Sequence, residues 1–284
     1  MRTGLDHVRR LLVTALSMTS LTFAGAAAAT IHAPHAEAAP PSAPSLSTGA
    51  AAVHGHVAPP AGRGPVVVAL GDSVPAGSVC GCRNFVATYG DLLSRGAAHK
   101  AAVTNFAEGG AETEDVLEQV RKPAVRDALT NATTVLLMIG ANDFYRPFKH
   151  VRRGASAATE YRAAARQVRT NVEQTIRQIR LLHDGPVNIV VLGYWNVVED
   201  GKVARQDYGT AGVKAAESAT GWANRALRGA ARTGHALYVS TYAAFKGADG
   251  SKDPTALLAS DGDHPNAAGH RLLARTVYGP LPKG

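Results

Sequence analysis

The stretch "VVVALGDSVPAG", residues 66–77, decides how the chain reads. An unbroken apolar run over 66–70 stops at Gly71-Asp72-Ser73. A run without alternation suits a strand buried on both faces, the kind found in parallel sheets. A buried strand that ends by presenting an aspartate and a serine has two explanations. Either this is a polar turn, or Ser73 is a nucleophile held at a sheet edge.

Four more such runs follow: "AVTNFA" (102–107), "TVLLMIG" (134–140), "NIVVLGY" (188–194) and "ALYVST" (236–241). Helical patterns separate them. Over residues 156–182, Tyr161, Ala165, Val168, Val172, Ile176 and Ile179 recur every three or four residues and make one apolar stripe. Ser156 or Thr159 can cap its start, and Asp184-Gly185-Pro186 stops it. A second stripe runs through Ala215, Ala219, Trp222, Ala226 and Ala230. Strands alternating with helices predict an α/β fold of three layers, a parallel sheet covered by helices on both faces. Ligands of such sheets sit beyond the carboxyl ends of the strands, so the residues just after each run carry the functional information.

Those residues are Gly71-Asp72-Ser73, then "NFAEGGAET" (105–113), then Gly140-Ala141-Asn142-Asp143, and near the C-terminus "SDGDHPNAAGH" (260–270). A serine hydroxyl needs an imidazole to take its proton and a group to orient that imidazole. His264 precedes Pro265, which disfavours a helical conformation at His264 and starts the next helix. Asp261, three residues earlier, can reach the far ring nitrogen and hold the tautomer that accepts the Ser73 proton. Acyl transfer also builds an oxyanion. The Ser73 N–H, the Gly110 N–H and the Asn142 side-chain amide are its candidate donors. Taken singly each signal is weak: Ser73 could be a helix cap, Gly109-Gly110 a turn, Asn142 a cap residue, His264 a surface histidine. Their joint order at successive strand ends is what makes them specific.

The four clusters resemble the conserved blocks of the SGNH hydrolases, also called GDSL lipases and esterases. Ser73 matches the block I serine, Gly110 the block II glycine, Asn142 the G-x-N-D asparagine, and Asp261 with His264 the D-x-x-H pair. The resemblance runs from residue 66 to about 278. It implies a flavodoxin-like five-stranded parallel sheet in the order 2-1-3-4-5, and a serine esterase with Ser73, His264 and Asp261 as its triad. Val74 stands where the family name implies leucine. Gly109 competes with Gly110 as the oxyanion donor, and Asp263 is a second carboxylate beside His264, ranked below Asp261 on the D-x-x-H spacing.

The ends of the chain read differently. Residues 1–38 carry Arg2, Arg9 and Arg10, an Ala-rich apolar run and an A-x-A pattern at Ala36-Glu37-Ala38, the layout of a secretory signal peptide. Cleavage nearer Ala29, or a retained anchor, are the alternatives. Residues 39–64 are rich in Pro, Ala, Gly and Ser and read as a flexible linker. Residues 65–284 are left as one catalytic domain, long enough for a sizeable core. Secretion to the outside of the cell is therefore expected.

The formal net charge is +8, and removing residues 1–38, with three Arg and two acids, leaves +7. Such a charge favours encounter with anionic surfaces, membrane or cell wall, and argues nothing about fold. The densest basic run, "KHVRR" (149–153), carries no nucleic-acid signature and reads as a solvated loop. Cys80 and Cys82 are the only cysteines. In an exported chain a local disulfide is expected, and two thiols by themselves do not make a zinc site. His54 and His56 lie in the linker. No cofactor or metal is expected, the partner expected is an ester substrate, and a monomer is expected. Neither G-x-S-x-G, H-E-x-x-H nor a P-loop occurs. Phe144, Tyr145, Tyr194 and Trp195, just after the third and fourth runs, either line an acyl pocket or pack under loops. A carbohydrate acetylesterase and a non-catalytic surface protein on the same fold are the competing readings.

Overall fold

A computed structural model of the chain describes residues 63–280. The expected signal segment, and all of the linker before Arg63, lie outside the described residues. The first strand, β1 (Val66–Gly71), runs into a short helix α1 (Ser73–Ala76), followed by α2 (Phe85–Leu93) and β2 (Ala102–Asn105). Then come α3 (Thr113–Gln119), α4 (Pro123–Thr130), β3 (Thr134–Met138), α5 (Asn142–Arg152) and α6 (Ala157–Arg180). Next are β4 (Asn188–Leu192), α7 (Gly201–Thr233), β5 (Leu237–Val239), α8 (Tyr242–Lys246), a 3₁₀ turn (Thr255–Leu257) and α9 (Ala267–Tyr278).

The five strands form one parallel sheet in the order β2-β1-β3-β4-β5. The chain moves one way from β1 to β2 and the other way from β2 to β5. Right-handed crossovers therefore place the β1–β2 connection on one face and the later connections on the opposite one. The packing agrees: α6 packs against α3, α5 and α7, while α9 returns to pack against α2. The strand order reverses between β1 and β3, the switch point at which such sheets bind ligands.

Strands β1, β3 and β4 are buried almost throughout, as their continuous apolar runs demand. Strand β2 differs from expectation. All four of its residues are exposed, because it is the sheet edge and pairs only with β1. The stripe of α6 is buried at Tyr161, Val168, Val172, Ile176 and Ile179, and Ser156 is its N-cap. The stripe of α7 is shifted slightly, with Ala216, Ala219, Ala223, Ala226 and Ala230 facing the core, and Gly209 breaks this helix with φ 61°. The run 149–153 is not a loop: Lys149, His150 and Arg152 form the last turn of α5, where cations complement the helix dipole.

Candidate active site

Ser73 is placed by the way β1 ends. The chain swings across the end of β3, with the Asp72 N–H donating to the Met138 carbonyl at 3.1 Å. Gly71 makes this possible: its φ is +147°, and a Cβ there would lie 2.0 Å from the Met138 oxygen. The Asp72 carboxylate then caps α1 by accepting the Val74 N–H at 3.0 Å. Gly77, with φ +81°, closes that single turn, and the N–H groups of Gly77 and Ser78 both donate to the Ser73 carbonyl at 3.0 Å. Ser73 is thus fixed from both sides and half-buried at the sheet's carboxyl edge.

A second hold on this turn comes from the end of β2. The Asn105 amide donates to the Pro75 carbonyl at 2.8 Å, and its own carbonyl accepts the Ala107 N–H. A third comes from β4: the Tyr194 hydroxyl donates to the Asp72 carboxylate in a short, buried hydrogen bond. Burial is the main reason the Asp72 carboxyl is pushed up to about 7, against the lowering effect of the Tyr194 and Val74 donors. Burial, followed by the Asp72 charge, raises Tyr194 well above the usual tyrosine range, so it acts only as a donor.

The block after β2 turns back onto the end of β1. The Glu108 N–H donates to the Gly71 carbonyl at 2.9 Å, and the Ala111 N–H closes a turn on the Glu108 carbonyl. Gly110 sits in that turn with φ +81° and open space where a Cβ would be, so conformation and not crowding requires glycine. Gly109 has no such φ, and a Cβ on it would come 3.3 Å from the Ser78 hydroxyl. Asn142 opens α5, and its amide donates to the Ala111 carbonyl at 2.8 Å, leaving one N–H for a ligand. The neighbouring Asp143 accepts from both the backbone and the hydroxyl of Thr113, and Asn171 of α6 donates to that hydroxyl. The Gly110 turn and Asn142 are therefore tied together as one wall.

The imidazole comes from the loop before α9. His264 Nδ1 lies 2.6 Å from Asp261 Oδ2, while Asp261 Oδ1 accepts the backbone N–H groups of Asp263 and His264, both at 3.1 Å. The structure joins Asp261, not Asp263, to the ring. Burial pushes the Asp261 carboxyl up, but the His264 ring and the two backbone donors outweigh it, and the net shift is downward. Burial raises Asp263 instead. The loop is pinned from behind. Asp200 donates its N–H to the Gly262 carbonyl at 2.7 Å, and its buried carboxylate is paired with the buried Lys246 ammonium at 2.9 Å. His264 and Ser73 are not joined by a hydrogen bond in this structure. His264 is nevertheless near enough for its charge to act on Asp72, the residue before the serine. Such contacts often tighten only when substrate is bound.

The aromatic residues separate into two groups. Phe144, Tyr194 and Trp195 are core side chains with essentially no exposure, Trp195 stacked on Phe245 at 4.1 Å, so they offer no surface to a substrate. Being adjacent to a strand end does not put a side chain on the surface: these three point back under the loops. Tyr145 is 54% exposed. With Lys149, Arg152, Glu199 and Tyr208 it lines a cleft of about 500 Å³ between α5 and the start of α7. Lys149 lies over the Tyr145 ring and Arg152 over Tyr208, and Tyr208 and Glu199 both feel the charge of Asp263, next to His264. Cys80 and Cys82 sit in the loop after α1 with Cα atoms 5.0 Å apart, within the span of a disulfide. Sequence reasoning missed Asn105, Tyr194 as a partner of Asp72, Thr113 with Asn171, and Lys246 with Asp200. Only Thr113 and Asn105 carried a signal, since both fall inside a strand-end cluster.

Comparison with known proteins places the chain in a family and agrees with its fold. A profile of the GDSL-like lipase/acylhydrolase family matches residues 69–272. No curated protein matches. Among solved structures, a lipase from a goat rumen metagenome is 19% identical with a TM-score of 0.61, covering 77% of this chain and 100% of its own. An acetylxylan esterase from Geobacillus stearothermophilus is 21% identical with a TM-score of 0.54, covering 76% of this chain and 93% of its own. At these identities the likeness is one of fold.

Proposed function

From the premise that the chain belongs to the GDSL-like lipase/acylhydrolase family, we propose that it is an exported serine esterase whose triad is Ser73, His264 and Asp261. One observation carries the reading. The His264 ring is held by Asp261 at 2.6 Å through Nδ1, which leaves Nε2 bare to take a proton. In the proposed mechanism Ser73 Oγ attacks the ester carbonyl and passes its proton to His264. The developing oxyanion is met by the Ser73 and Gly110 N–H groups and by the Asn142 N–H not used on Ala111. His264 then protonates the leaving alcohol, and a water activated by the same ring releases the acid. Export rests on the signal-like residues 1–38. Among the described residues no helix is long and apolar enough to cross a membrane.

A second reading concerns the substrate. Three of the four aromatics expected to hold an acyl chain, Phe144, Tyr194 and Trp195, are core residues, and the open cleft that Tyr145 lines between α5 and the start of α7 is edged mostly by charged and phenolic groups. That lining suits a short acyl group on a polar alcohol, such as an acetylated carbohydrate, better than a long lipid tail. The test uses p-nitrophenyl esters of increasing chain length with the wild type and Ser73→Ala. The expected result is an optimum at acetate or butyrate and a kcat lower by roughly 10⁴ or more in the variant. Equal activity in Ser73→Ala removes the serine mechanism, and an optimum at long chains removes the short-acyl reading.

A further inference from the structure

The loop that follows the nucleophile carries a cluster that the ester chemistry does not use. Cys80, Cys82 and His270 come together there, a ring nitrogen of His270 and both sulfurs lying within 4.8 Å of one another. The cysteines are half-buried, Gly81 between them is exposed, and Val79 beside them is 59% exposed. Reagents in solution therefore reach them. His270, on α9, is wholly buried. Its Nδ1 accepts the Phe85 N–H at 3.2 Å. Burial holds its pKa down at about 4, so the ring is neutral at ordinary pH. With Nδ1 accepting, the proton sits on Nε2, which is buried and has no hydrogen-bond partner. That arrangement is wrong for a metal, which needs a bare nitrogen. It is right for an anionic acceptor, because a buried unmade donor is costly until an acceptor arrives.

We propose that Cys80 and Cys82 form a disulfide that exchanges reversibly with external thiols, and that the His270 Nε2–H holds the thiolate released. An external thiolate attacks one sulfur, the Cys80–Cys82 bond breaks, and the other sulfur leaves as a thiolate facing His270. A second external thiol, deprotonated by solvent, attacks the outer sulfur of the mixed disulfide. The external pair leaves oxidised and both cysteines are reduced, two electrons having passed from the two thiols to the bridge. The bridge closes a loop of only three residues, so it removes little chain entropy and gains little resistance to reduction from it. The other charged groups nearby do not decide the matter. Arg83 is neutralised by Asp91 at 2.7 Å, and His264 reaches the cluster only by its effect on His270.

The test equilibrates the protein with reduced and oxidised glutathione, traps thiols with iodoacetamide and weighs the product. Thiolate absorbance at 240 nm is then titrated in the reduced protein. The expected result is reversible gain of two alkylation sites without loss of the folded circular dichroism signal. One thiol should titrate below the ordinary cysteine value of about 8.5. In His270→Leu its thiolate fraction at pH 7 should fall about tenfold, and His270→Gln, which keeps an N–H donor, should restore it. Two free thiols in the air-exposed protein, a bridge that folded protein keeps in excess dithiothreitol, or identical titrations in wild type and His270→Leu would each overturn the proposal. If His270 variants do not fold, Cys80→Ser and Cys82→Ser serve. One remaining thiol should alkylate about tenfold faster at pH 7 than free cysteine, and ordinary rates in both overturn it.

Discussion

Replacing Asp261 by Asn tests the site at its most informative atom. In the wild type Asp261 Oδ1 accepts two backbone N–H groups and Oδ2 faces His264 Nδ1 at 2.6 Å. An asparagine can keep its oxygen on the two backbone donors. Its NH₂ then faces the ring, and Nδ1 must accept instead of donate. The proton moves to Nε2, where it blocks the transfer from Ser73. The fold loses one charge-assisted hydrogen bond on a partly exposed residue, about 1 kcal/mol. In a domain of this size that lowers Tm by only about 2–4 °C. The loss of the correct tautomer is far larger: roughly 10⁴ in kcat, which at 1.36 kcal/mol per decade is about 5.4 kcal/mol of transition-state stabilisation. The assay is p-nitrophenyl acetate hydrolysis at pH 7–8, with thermal melts of the same samples. Asp263→Asn is the control, since its carboxylate makes no hydrogen bond to the ring, and it should keep kcat within about tenfold. A folded Asp261→Asn enzyme with kcat within about tenfold of wild type, or a larger loss in Asp263→Asn, would refute the assignment of the orienting carboxylate.

Two further outcomes follow from the nucleophile turn. Gly71→Ala puts a Cβ 2.0 Å from the Met138 oxygen at φ +147°, so the turn must move. A loss of about 3 kcal/mol or failure to fold is expected, read by denaturant titration, and a wild-type midpoint would show that the turn is not so constrained. Asp72 has a folded pKa of about 7, above its unfolded value of 3.8. Between those pH values the unfolded chain releases a proton that the folded one keeps, so stability falls as pH rises from about 4 to 7, by at most about 4 kcal/mol, and is flat above. Stability of wild type relative to Asp72→Asn, measured across that range, should decline with pH, and a constant or rising difference contradicts the buried, protonated Asp72.

The strand pattern and the clusters at strand ends were legible because each is local in sequence, whereas the strand order came only from the family resemblance. Continuous apolar runs mark β1, β3 and β4. Asp261 and His264 are three residues apart, so their pairing could be read from spacing. The exposure of β2 could not be read from its own apolar run, because being an edge depends on which strands pair, and only the order implied by the resemblance put it there. The aromatics near β3 and β4 were ambiguous for a related reason: a residue beside a strand end faces out or in according to helices far along the chain, as Trp195 does on Phe245. The links Tyr194–Asp72, Asn171–Thr113 and Lys246–Asp200 join residues 122, 58 and 46 positions apart, distances over which a single sequence carries no signal.

Strand β2 is exposed, four residues long and paired on one side only, yet its last residue, Asn105, holds the Pro75 carbonyl, and the segment after it holds Gly71. Segments with few buried contacts open at a lower free energy than the core does. With Ser73 as the proposed nucleophile, loosening of this edge is expected to release its turn while β1, β3, β4 and the long helices stay folded. Ester turnover should then be a more sensitive thermometer than circular dichroism, falling on warming before the melt.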